Sequence, residues 1–276
     1  MATTVSRRLA SALGGLLAPV RHGSLIWELG KRDVLGRYRG ASLGILWTLL
    51  GPLMMLAVYS FAFGEILRAK WPVVGSGTSS FALILFIGLI VHGFFAECLI
   101  RSPTLVLGNP NYVKRIIFPL EILPWPLVLS ALFHAGMNLL VFTAVHFFLE
   151  GPVPATIVLL PLVLAPLAVL AMGLAWFMAS LGVYFRDITQ ITGPVATAML
   201  FLSSAIIPVD ALPDAYQRVF HLNPLTFIID QARNVALWGL SPDWPGLATY
   251  FAGSLLFAYV GCLWFQSTRR GFADVL

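Results

Sequence analysis

Ionisable side chains are what this sequence has least of. Asp, Glu, Lys and Arg make up 11% of its 276 residues, against 59% hydrophobic residues. Soluble domains carry roughly 25% charged residues, and a chain with so few cannot coat a surface facing water. An ordinary soluble enzyme is thereby excluded, and the whole chain reads as an integral membrane protein. Cysteine is scarce too: Cys98 and Cys262 lie in separate apolar runs, which excludes a disulfide framework. The five histidines, His22, His92, His134, His146 and His221, form no pair at helical ligand spacing, so no metal site is expected. A phosphate-binding loop is missing as well. The Gly30-Lys31 pair lacks the upstream glycine and the following hydroxyl residue. The chain is therefore expected to hold no cofactor, to have no catalytic residue and not to hydrolyse ATP.

The net charge of +5 does not point to nucleic acid, because the 17 Lys and Arg residues bracket apolar runs and never form one tract. Lipid headgroups are their natural partners. The run from Leu43 to Phe63 has no charge and is long enough, at about 1.5 Å per residue, to cross roughly 30 Å of hydrocarbon. It exceeds the apolar core of a signal peptide, and no small-residue cleavage pattern follows it. Six such spans are expected, at 43–65, 81–100, 122–149, 155–183, 188–208 and 247–265, separated by Pro, Gly and Asn-rich breaks. The expected fold is thus a single all-α membrane domain over 1–276. With the amino terminus in the cytoplasm, 13 of the 17 cations lie inside and only Arg68, Lys70, Arg218 and Arg233 outside, which puts both termini in the cytoplasm.

Three segments are not simple spans. Residues 24–40 read as a basic, aromatic interface helix with Trp27, Val34, Leu35 and Tyr38 on one imperfect stripe and Leu25, Ile26 and Leu29 elsewhere. Lys31, Arg32, Arg37 and Arg39 suit a headgroup layer, where long cations snorkel. Residues 102–121 hold Asn109-Pro110, a turn signal, and a short helix expected through Tyr112, Val113, Arg115 and Ile116. A mere tether would need fewer residues, so partner docking stands beside plain connection. Residues 209–246 are too charged to cross and too apolar for a loop. There Asn223 can cap a helix that starts at Pro224, with Leu225, Ile228, Ile229, Ala232 and Ala236 on its apolar face and Asp230 and Arg233 opposite. The segment reads as a re-entrant helical hairpin on the outer side. Its acids, Asp210, Asp214 and Asp230, suit helix starts or, alternatively, the site of a membrane glycosyl or acyl transferase. Glu65, Glu97, Glu121 and Glu150 sit near span ends, where a carboxylate needs no special role. His134 and His146 read as buried, hydrogen-bonded residues.

Four stretches carry a family resemblance. "RDVLGRYRGASLGILWTLLGPL", "NPNYVKRIIFPLEILP", "GVYFRDITQITGPV" and "HLNPLTFIIDQARNVAL" resemble, in order, segments of the permease subunits of bacterial polysaccharide-exporting ABC transporters. The likeness spans about residues 24–270. It implies a homodimer of six-span subunits in the inner membrane, bound to two copies of a cytoplasmic ATPase that carries the ATP and Mg. Its implied cargo is a lipid-linked polysaccharide, most simply O-antigen, with capsule or teichoic acid as alternatives. Carried over residue by residue, Asn109, Pro110, Asn111, Tyr112, Val113, Lys114 and Arg115 match the coupling helix, and the Trp27–Arg39 stretch matches the interface helix. Asp210–Leu240 matches the outer re-entrant helices. Tyr59 and Phe63, which share a face by i, i+4 spacing, together with Phe201, are the candidates for an aromatic-lined channel. A secondary carrier would instead need broken helices and paired charges at mid-membrane.

Overall fold

The computed structural model describes residues 14–66, 71, 80–113 and 118–275; among them there is no strand. Helix α1 (Ala18–Arg37) has Pro19 in its first turn and bends at His22. Its buried residues are Ala18, Ile26, Gly30 and Val34. This corrects the expected stripe: Trp27 is 61% exposed and Leu35 also faces out. The reason is Gly30. A side chain there would meet Leu129 Cδ2 at 2.9 Å, so the helix is seated on its bare backbone, a contact that hydrophobicity counting ignores. Helix α1 also begins before the expected Ser24.

After two turns at Gly40 and Gly44, both at positive φ as only glycine readily allows, the chain enters α2 (Trp47–Tyr59). A 3-10 turn precedes it and a π-helical stretch, Ser60–Ile66, follows. Helix α3 (Phe81–Arg101) is the central post, buried along most of its length against α2 and four later helices. Those are α4 (Pro124–Glu150), α5 (Leu160–Tyr184), α6 (Ile188–Phe201) and α8 (Pro224–Ala236). Between the last two lies α7 (Asp214–Leu222), and the chain closes with α9 (Trp244–Thr268). Prolines open α4, α5, α8 and α9 within their first turns, where the missing N–H is no loss.

The tightest seam joins α5 to α9. A Cβ on Gly173 would stand 2.6 Å from Ala258 Cα, and one on Gly261 would collide with the Gly173 carbonyl. Small residues let two apolar helices approach until their backbones touch, which is how spans gain packing energy where lipid offers no hydrophobic contrast.

Among the described residues, five helices are long and apolar enough to cross a bilayer: Gly44–Ile66, Phe81–Arg101, Leu120–Glu150, Ala155–Tyr184 and Trp244–Val275. The expected span at 188–208 differs. Its helix stops at Phe201 after 14 residues, about 21 Å at 1.5 Å per residue. The carbonyls that would carry the helix on are claimed from far along the chain. Asn223 Nδ2 donates to Met199 O at 2.8 Å and Leu202 O at 3.0 Å, and Arg233 donates to Ser204 O and Ala205 O.

Candidate functional site

Two polar clusters stand at opposite ends of this apolar bundle. At one end, α1 lies across the start of α4 and the end of α3. Glu97, on the last turn of α3 with its side chain 14% exposed, gathers three partners. Arg37 Nη2 donates to Glu97 Oε1 at 2.7 Å, and Arg101 Nη1 to the same oxygen at 2.8 Å. His134 Nδ1, on α4, lies 3.0 Å from Oε2. Arg101 also reaches back to α1, forming a two-oxygen fork with Asp33 at 2.6 and 2.8 Å. Such paired, charge-assisted bonds fix geometry as well as add energy. Glu97 and Asp33 thus join α1 to α3, a contact that reading along the chain missed. The available signal was the i, i+4 spacing of Glu97 and Arg101. His134 is bonded, as expected, though its side chain is 12% exposed instead of buried.

The same end holds the turn after α3. Pro110–Val113 forms one short helix, and Asn109 Nδ2 caps back onto Leu105 O at 2.9 Å. Its expected continuation through Lys114, Arg115 and Ile116 lies outside the described residues. Tyr112 stacks on Phe118 with centroids 4.2 Å apart, and its hydroxyl accepts from Arg32 Nη2 at 2.8 Å. So α1 touches the short turn through Arg32 and the α3 post through Arg37 and Asp33. Lys31 and Arg39 stay exposed and, with Arg32, line a shallow groove along α1. Arg269 Nη1, at the end of α9, bonds Glu121 Oε2 at 2.8 Å, and Tyr184 donates to Thr268 O. The ends of α3, α5 and α9 and the start of α4 therefore share this face with α1.

The hairpin of α7 and α8 marks the other end. Asn223 Oδ1 accepts from Leu225 N at 3.0 Å, and all five expected apolar positions of α8 are buried. Asp243 likewise caps α9 at Gly246 N. Asp210 and Asp214 lie in first turns without capping by side chain. Arg233 is the main departure. Expected opposite the apolar face of α8, it is 0% exposed. Its Nε donates to Ile84 O at 3.1 Å, Nη1 to Ser204 O at 2.7 Å and Nη2 to Ala205 O at 2.8 Å, while Trp71 covers the guanidinium at 4.3 Å from its ring centre. Five fixed N–H donors suit a cage of carbonyls, which a lysine could not fill. Burial lowers the Arg233 pKa to about 10, so it stays charged at neutral pH. Asp230 lies 3.6 Å away and is half-exposed. Burial raises its pKa, opposed by the Ser204 hydroxyl and the Arg233 charge, and nearby Asp210 adds to the rise. Asp214 does not join them.

Of the aromatic candidates, Tyr59 and Phe63 do share a face, with centroids 6.4 Å apart, and Phe63 stacks on Phe81 at 5.3 Å. Phe201 is 60% exposed at the end of α6. Among the described residues no group of three or more His, Cys, Asp or Glu could hold a metal ion.

The chain is similar over nearly its whole length to several transport proteins. It is 24% identical over 257 residues to the O-antigen export system permease protein RfbA of Myxococcus xanthus, covering 92% of this chain and 96% of that one. The Klebsiella pneumoniae protein of the same name is 24% identical over 255 residues, 91% of this chain and 95% of its own. The polysialic acid transport protein KpsM of Escherichia coli is 22% identical over 240 residues, 87% and 91% of the two chains. The family model described as ABC-2 type transporter matches residues 24–237, which takes in most of α1, the Pro110–Val113 turn, the α3 post and the Arg233 cage. Five apolar helices that can cross a bilayer, and that match across most of the chain, make this a multi-pass membrane protein of the ABC-2 type transporter family.

Proposed function

We propose that this chain is the membrane subunit of an ABC transporter that exports a lipid-linked polysaccharide, O-antigen in the first instance, across the bacterial inner membrane. The observation that carries the reading is likeness over about nine-tenths of the chain to permeases named for O-antigen export, with a polysialic acid transporter beside them. Capsule and teichoic acid are the neighbouring substrates. ATP and Mg belong to a separate cytoplasmic ATPase, two copies of which serve two copies of this chain.

Parity supports six crossings and cytoplasmic termini. Helices α5 and α9 both end on the α1 face, so the chain between them must travel to the hairpin face before α9 can return. Helix α6 makes most of that passage. The hairpin at 209–246 completes it as a re-entrant element, its backbone ends satisfied by Asn223 and Arg233, as a helix broken within a membrane requires. With the α1 face inside, Trp27, Lys31 and Arg39 meet headgroups and Pro110–Val113 meets the ATPase.

Force then has a route. The ATPase closes on ATP, Pro110–Val113 moves with it, Tyr112 pulls Arg32, and α1 hands the displacement to α3 and α4 through Glu97. Tyr59, Phe63 and Phe201 offer a sliding polymer ring faces without fixed hydrogen-bond geometry. The test is Val113→Asp in cells and in proteoliposomes containing the ATPase. Membrane insertion should be unchanged and surface polysaccharide should fall at least tenfold while ATP turnover persists. Unaltered export overturns the coupling assignment; export by the chain alone, without ATP, overturns the function.

A further inference from the structure

A cavity of about 270 Å³ opens between α1, α2, α3 and α4, directly against Glu97, and the force route leaves it unexplained. Its wall contains Tyr38, Trp47, Arg37, Glu97, His134 and Asn138. The grooves farther along α4 are different, being lined almost wholly by aliphatic and aromatic carbon.

Two groups in this wall have unused hydrogen-bonding capacity. Glu97 holds His134 by Nδ1, which leaves Nε2 buried without a partner among the described residues. A buried polar atom in a cavity wall calls for an occupant that can bond to it. Asn138, one turn along α4, makes no hydrogen bond among the described residues and offers two donors and an acceptor. Beside them stand two rings: Trp47, which is 41% exposed, and Tyr38, set edge-on to His134 with centroids 6.1 Å apart.

Charge narrows the class of ligand. Arg37 and Glu97, the two charged residues of the wall, are paired with each other, so an anion would face the Glu97 carboxylate. A cation would face the Arg37 guanidinium. What fits is neutral, rich in hydroxyls that both donate and accept, and apolar on one face so that it can lie on an indole. The volume, just below the roughly 300 Å³ at which small-molecule pockets begin, suits one ring and not a chain.

We propose that this cavity binds a single neutral sugar residue, with His134 Nε2 and the Asn138 amide as its hydrogen-bond partners and Trp47 as its stacking face. The proposal rests on the polysaccharide-export reading and deepens it. The contact lies on the α1 side, where cargo enters, and it borders the carboxylate that joins α1 to α3. Occupancy would therefore be felt by the same Glu97 that relays movement from the ATPase.

The test uses the full-length chain in lipid nanodiscs and saturation-transfer NMR with glucose, mannose, rhamnose and N-acetylglucosamine, with glycerol 3-phosphate as the anionic competitor. At least one sugar should receive saturation at its ring protons. The transfer should fall fivefold or more in Asn138→Leu and in Trp47→Ala, persist in Phe148→Ala on the far end of α4, and resist glycerol 3-phosphate. Should either cavity variant fail to fold, a diazirine derivative of the bound sugar should label the 134–138 segment of the unaltered chain. No transfer to any sugar, transfer indifferent to both cavity variants, labelling elsewhere, or displacement by glycerol 3-phosphate overturns the proposal. The assay involves neither ATP nor export. Lost sugar binding with intact export would sink the cavity alone, and intact binding with no export would sink the function alone.

Discussion

The two ends of this molecule deal with arginine in opposite ways. At the α1 end, Arg37 and Arg101 meet carboxylates through long, partly exposed side chains, and Glu97 is shared among three partners. At the hairpin end, Arg233 is sealed away and answered mainly by backbone carbonyls from α3 and from the turn after α6. Side-chain partners can be exchanged when helices shift, whereas backbone carbonyls move only with their whole segment. The first arrangement suits a joint, and the second a rivet.

That contrast can be broken most forcefully at Arg233. Arg233→Met should cost about 3 kcal/mol, because it leaves carbonyls unanswered in a dry site, and Arg233→Lys should recover less than half of it. Thermal unfolding in detergent measures both, and a near-neutral methionine variant would make the rivet a fiction. Glu97→Ala comes next. Its partners keep some access to water, so a loss of about 2 kcal/mol is expected, together with a larger drop in export than in folded protein. Export that falls only in step with folded protein would deny the joint any mechanical part. The Asp33–Arg101 fork should show a coupling of about 1 kcal/mol in a double-mutant cycle of Asp33→Asn and Arg101→Gln, and additive effects would show α1 to be merely resting on α3. Phe201→Ala, at neither cluster, should stay within about 0.5 kcal/mol of the parent, since its ring is already exposed, yet slow export if the ring meets cargo.

What could be read from the chain alone follows the range of the interactions. Apolar runs are local, and five spans lie close to their expected limits. Asn223-Pro224 is local too, and it caps α8 as read. Arg233 could not be recognised as a core residue, because the carbonyls that accept from it are 28 residues and more away in sequence. The early end of α6 has the same origin. Asn223 takes up the Met199 and Leu202 carbonyls and Arg233 those of Ser204 and Ala205, all from 21 residues or more along the chain. Glu97 was passed over because a carboxylate near a span end looks cheap until Arg37 and His134 are seen to converge on it. The face of α1 was misjudged because Gly30 contributes nothing to a hydrophobic count and yet is the point of closest approach to Leu129.

The bare-backbone seam between α5 and α9 limits how such a machine can change shape. A side chain at Gly173 or Gly261 would force the two backbones apart, and with that closeness the pair is expected to travel as one beam. Any widening of a passage must come from helices that are not locked in this way. The π-helical tail of α2 and the short α6 are the lightly held parts of the wall, and cross-links that tether them, unlike cross-links within the beam, should stall transport.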